Sequence, residues 1–141
     1  MTVRKPLLVP IDGSASSLGA LSLACQRVKA RRGGSVVALD VQQAMPPNRF
    51  ATRTDIRDHH ERMSAEVFGK VERVAAREKV PVRKVMGVGL AAAVILDQAG
   101  KIRADEIVMG TRGLGQIGGL LMGSVAMKVV QLAKVPVTLV K

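Results

Sequence analysis

Five short apolar runs, separated by four segments of helical period, constrain this 141-residue chain more than any other feature. The runs are Pro6 to Ile11, Val36 to Val41, Val82 to Val88, Glu106 to Met109 and Val137 to Val140. The first is continuous rather than alternating, as in a strand buried on both faces. Helices are predicted from about Ser17 to Arg31, Asp55 to Lys79 and Leu90 to Ile102, with a fourth from about Ser124. Ile56, Met63, Val67, Val71 and Val74 carry the period of the second. Punctuation agrees: Asp12-Gly13-Ser14 reads as a turn with a serine cap, Gly33-Gly34 ends the first helix, and Pro81 and Pro136 precede strands.

Strands that alternate with helices form a parallel sheet covered on both faces. Right-handed crossovers then leave an open, doubly wound α/β fold. By analogy with such folds the expected strand order is 3-2-1-4-5, in one domain over residues 1–141. Strands 1 and 4 would flank the point where the winding reverses. Ligands of open α/β sheets bind there, beyond the carboxyl ends of the strands. Asp12 ends the first strand and Gly110 follows the fourth, so two unusual segments converge on one crevice.

The second of these, GTRGLGQIGGLLMGS over residues 110–124, carries the chemistry. Gly110, Gly113 and Gly123-Ser124 stand between a strand and a helix. Glycines there let backbone N–H groups turn toward an anion, and a helix N-terminus adds partial positive charge. Arg112 contributes a full charge. The bland alternative is a glycine turn without a ligand. Anion binding is the stronger reading, because half of the chain's 14 glycines fall in residues 100–123.

Three familiar motifs fail. Gly113-Leu-Gly115-Gln-Ile-Gly118 matches the dinucleotide fingerprint, but no acid follows Glu106 to hold a ribose. Gly69-Lys70 and Gly100-Lys101 lack the Ser or Thr of a P-loop. Gly119-Leu-Leu-Met-Gly123 resembles a membrane packing motif, yet the uncharged run from Gly113 to Met127 is too short and too glycine-rich to span a bilayer.

Composition sets the remaining bounds. Hydrophobic residues make up 48%, enough for a core, and with Phe50 and Phe68 the only aromatics that core must be aliphatic. A single cysteine, Cys25, excludes an intrachain disulfide; it shares a helical face with Leu21, Ala24 and Val28 and reads as a buried, inert thiol. No secretory signal is evident, so a soluble, cytoplasmic protein without membrane contact is expected. The net charge of +11 suggests polyanions, but the basic residues are spread along the chain without interleaved aromatics. A solvated basic surface is the plainer reading, and nucleic acid an unfavoured partner.

Two readings of Asp12 stay open: a ligand for nucleotide-bound Mg²⁺ or a ribose, and an ordinary turn aspartate. His59-His60, adjacent on a helix, diverge by about 100° and read as a solvated face. Residues 42–54 form a long loop at the carboxyl end of strand 2, with two readings open: a cover for a ligand there, and plain disorder.

These residues carry a resemblance. Leu-Leu-Val-Pro-Ile-Asp-Gly-Ser over 7–14, Gly87, and IVMGTRGLGQIGGLLMGSVAMKVVQLAKVPVTLV over 107–140 resemble the universal stress protein family across nearly the whole chain. The Gly110, Gly113, Gly123-Ser124 spacing is that of its ATP-binding branch. The resemblance implies that Pro10, Ile11 and Asp12 meet the nucleoside and that Val41 holds the adenine through its backbone. Met109, Gly110, Arg112, Gly113, Gly123, Ser124 and Val125 would surround ribose and phosphates. It also implies a homodimer through Val137 to Val140, and a stress-response or signalling role exerted by nucleotide-dependent binding, with at most slow ATP hydrolysis. The alternative is a nucleotide-independent interaction or polyanion-binding module of the same fold.

Overall fold

Leu7 and Val9 point to one side of the first strand and Leu8 to the other, and all three are buried. That arrangement needs a layer of helices on each face, and the computed structural model supplies both. It describes residues 4–112 and 122–141. The elements run β1 (Leu7–Pro10), α1 (Ala15–Ala30), β2 (Val36–Gln42), α2 (Arg53–Glu78), β3 (Val82–Val88), α3 (Ala91–Lys101), β4 (Glu106–Gly110), α4 (Ser124–Leu132) and β5 (Val137–Val140). The sheet is parallel throughout, in the order β3-β2-β1-β4-β5, as the alternation and the fold analogy anticipated.

Strand alternation sorts the side chains into two cores. Val9, Ala38 and Val108 face α1 and α2, while Leu8, Leu39 and Ile107 face α3 and α4. Cys25 belongs to the first core. Its thiol is pushed up to about 11, chiefly by loss of solvent and secondly by the charge of Glu78.

Two helices start earlier than the periodicity placed them, each because of its cap. Ser14 caps α1, its hydroxyl accepting the Ser17 N–H at 3.3 Å. Thr52 caps α2 in a reciprocal box with Asp55, which therefore sits one turn inside the helix. The bonds from the Thr52 backbone and hydroxyl hold the Asp55 carboxyl below its ordinary value.

The histidine reading needs correction. His59 is exposed, but His60 is only 5% exposed, and its Nε2 lies 3.0 Å from the carbonyl oxygen of Gln43. It stands one helical turn from both Ile56 and Ser64, on the buried stripe of α2. Ser64 in turn donates to the buried carboxylate of Asp40 at 2.6 Å, and the Gln42 amide donates to the same oxygen. This polar cluster fastens α2 to the end of β2 and to the loop that follows.

α1, α2 and α3 share one unusual ending. Each closes with a paired 6→1 and 5→2 backbone bond, as between Val80 N and the Ala75 carbonyl and between Lys79 N and the Ala76 carbonyl. The left-handed position in these motifs normally takes glycine. Here it is Arg32 (φ 51°), Lys79 (φ 59°) and Arg103 (φ 51°). A side chain there costs roughly 1 kcal/mol.

Candidate functional site

A cavity of about 240 Å³ opens at the carboxyl ends of β1 and β4, between α3 and α4. Leu39, Val41, Ile95, Met109 and Ala126 give it an apolar wall. Asp12, Thr111, Arg112 and Ser124 give it a polar end. The volume lies just below the usual range for small-molecule sites, roughly 300–1,000 Å³.

Of the residues singled out in the sequence, Pro10, Ile11, Asp12, Val41, Met109, Gly110, Arg112, Gly123, Ser124 and Val125 all line this cavity. Gly113 lies outside the described residues. The structure also adds Ser17, Thr111, Ala91 and Ile95 to the lining. Ser17 carried a visible signal as a serine near a helix start. Ala91 and Ile95 did not, because helical period shows that α3 has a buried face but not what that face meets.

The β1–α1 turn is a closed hydrogen-bonded unit. Asp12 Oδ1 accepts the Ser14 N–H at 2.9 Å, and the Ser17 hydroxyl accepts the Asp12 N–H at 3.3 Å and donates to the Ser14 carbonyl at 3.0 Å. Asp12 is thus a turn aspartate, and the same turn aims it at the crevice. The hydroxyls of Ser14 and Ser16 then reach across to the carbonyl of Arg112, at 3.4 and 2.5 Å.

Gly110 has a packing reason of its own. A Cβ there would meet the Ser16 hydroxyl and would lie 2.9 Å from the Ser16 carbonyl carbon. No side chain fits while α1 approaches β4 this closely. Nor is Gly123 simply an anion donor: its N–H is spent on the Thr111 carbonyl at 2.6 Å. Thr111 N in turn donates to the Val140 carbonyl at 2.9 Å, tying the end of β4 to the edge strand.

Further backbone donors lie one step along. The first backbone bond of α4 runs from Met127 N to the Gly123 carbonyl at 3.0 Å. The N–H groups of Ser124, Val125 and Ala126 therefore come before the first bond of the helical ladder, and all three residues line the cavity. Exposed Ser124 adds a hydroxyl and exposed Arg112 a guanidinium. Among the described residues no three His, Cys, Asp or Glu side chains group to hold a metal ion, and Asp12 is the one carboxylate in the lining.

The profile of the Universal stress protein family matches residues 4–141. The chain belongs to this family. It is 32% identical over 140 residues to the universal stress protein MJ0531 of Methanocaldococcus jannaschii, covering 97% of this chain and 82% of that one. Among solved structures it resembles the Archaeoglobus fulgidus universal stress protein in complex with dAMP, with a TM-score of 0.69, 22% identity and coverage of 99% and 100%. It also resembles a family protein from Arabidopsis thaliana with AMP bound, with a TM-score of 0.68, 19% identity and coverage of 97% and 91%. These likenesses show a shared fold, and the nucleotides belong to those two proteins. Within this universal stress protein no described helix is long and apolar enough to cross a membrane.

Proposed function

We propose that this universal stress protein binds ATP in the crevice between β1 and β4 and acts as a nucleotide-dependent binding protein in a cytoplasmic stress or signalling response. One observation carries the reading. An apolar slot ends at a carboxylate, an arginine and the first-turn N–H groups of α4. The slot takes the adenine, with the Val41 backbone at its edge. Asp12 meets the ribose or a phosphate-bound Mg²⁺, and the start of α4 with Arg112 holds phosphates. The AMP and dAMP held by the structural relatives support an adenine nucleotide as the ligand class.

Hydrolysis is at most slow in this reading. Fast phosphoryl transfer needs an oriented nucleophile and charge stabilisation. Among the described residues Asp12 is the one carboxylate in the lining, and one of its oxygens already accepts the Ser14 N–H. β5 is an edge strand, half-buried and apolar at Val137, Leu139 and Val140, and we assign it the twofold pairing of a homodimer.

Calorimetry of the purified protein with ATP and Mg²⁺, beside AMP and beside Gly113→Ala with Gly123→Ala, tests the site. Micromolar binding weakened in the double variant is the expected result. Absence of binding by folded, nucleotide-free protein overturns it. Light scattering should give twice the chain mass.

A further inference from the structure

The +11 charge has a place in the fold that the linear sequence hides. α2 carries as many acidic as basic residues, so the longest helix contributes no excess. In a parallel α/β sheet, helix carboxyl ends and strand amino ends share one edge, opposite the crevice. Here that edge gathers Arg4 and Lys5 before β1, Arg83 at the start of β3, and Lys134 ahead of β5. It also receives Arg32, Lys79 and Arg103, the three residues in left-handed helix endings.

The acids at this edge are already engaged. Glu106 pairs with Arg27 at 2.5 Å, Asp105 with Arg31 at 3.3 Å, Glu78 with Lys29 at 3.5 Å and Asp97 with Lys101 at 3.0 Å. Among the described residues Arg32, Lys79 and Arg103 form no ion pair, and all three are exposed. A groove between the ends of α3 and α4 is lined by Lys5, Lys101, Arg103 and Lys134, with Asp97 its one acid.

We infer that this edge binds the phosphate backbone of duplex nucleic acid without reading its sequence. Helix dipoles alone favour basic residues near helix ends, but not at the left-handed position, where glycine carries no strain. A protein partner would need an apolar anchor. Among the described residues lining the groove, the one exposed large apolar side chain is Leu132. Base stacking would need aromatics. Phe50 sits in the loop after β2, and Phe68 midway along α2. Dense charge with a single exposed apolar side chain and no stacking platform at the groove matches a polyphosphate backbone, whose recognition is electrostatic.

The proposal does not depend on the nucleotide site. Its test is fluorescence anisotropy with a labelled mixed-sequence duplex of about two helical turns, between about 50 and 200 mM KCl. The decisive variant is Arg32→Gly with Lys79→Gly and Arg103→Gly, which removes three charges and relieves the backbone. It should melt at or above the wild-type temperature, bind more weakly, and show a salt slope shallower by about 2.7, three contacts at ~0.9 each. A control of equal charge, Arg49→Gln with Arg53→Gln and Arg62→Gln, should bind like the wild type. No duplex binding at low salt overturns the proposal, as does an equal loss in both triple variants. Displacement of the duplex by saturating ATP would place it in the crevice instead. Tighter binding of polyglutamate than of duplex would assign the edge to an acidic protein.

Discussion

The hydroxyl of Ser16 donates to the carbonyl of Arg112 at 2.5 Å, joining the first turn of α1 to the segment after β4 across 96 positions of sequence. Ser14 makes a second, longer bond to the same oxygen. Together they bring Asp12 and the start of the glycine segment to one crevice. Ser16→Ala removes the shorter bond, at a cost of about 0.5–1.5 kcal/mol. The fold should survive. ATP affinity measured by calorimetry should fall, because the two halves of the site lose their clasp.

Gly110→Ala tests the close approach itself. The added methyl would collide with the Ser16 hydroxyl and crowd the Ser16 backbone. Overpacking of this kind costs about 1–3 kcal/mol, read as a lower urea midpoint. Pairing it with Ser16→Gly should recover only part of that loss, since the backbone carbon at 2.9 Å remains.

Asp12→Asn separates charge from geometry. The amide oxygen can still accept the Ser14 N–H, so the turn persists and thermal stability should stay within about 0.5 kcal/mol. The carboxylate charge is lost. Mg²⁺-ATP binding should weaken more than AMP binding, as calorimetry with and without chelator would show. Equal weakening would assign Asp12 to the ribose.

Cys25 should resist thiol reagents in the native state and react once the protein is unfolded. Its folded value of about 11 lies above the ordinary 9.0, so the folded protein holds the proton more tightly. The stabilising contribution is full below about pH 9 and is lost as pH rises toward about 11. Denaturation midpoints of wild type and Cys25→Ala across that range should converge or cross, and parallel curves would contradict the assignment.

His60→Leu should loosen the loop after β2. The substitution keeps the buried volume roughly filled but removes the bond to the Gln43 carbonyl. Limited proteolysis between Gln43 and Thr52 should speed up while the α2 core stays protected. Amide exchange in the same segment should slow when ATP binds, if the loop covers the nucleotide.

Local patterns reached far into this protein. Uninterrupted apolar runs at Leu7–Pro10 and Val36–Leu39 require burial on two faces, and with helices between them leave only a doubly wound parallel sheet. Asp12 and Gly110 could be placed at one crevice because analogy with doubly wound folds supplied the strand order, and in such a sheet ligands bind where the winding reverses. What period and composition could not decide was which side chains meet. His60 is buried and His59 is not, because the phase of α2 against β2 is set by packing on Asp40 and Ser64. The Gly123 N–H is taken by Thr111 because two distant turns close on each other. The basic residues look scattered in sequence because successive helix ends are about one crossover apart. The sheet brings them to one edge, since every crossover returns the chain to the same end.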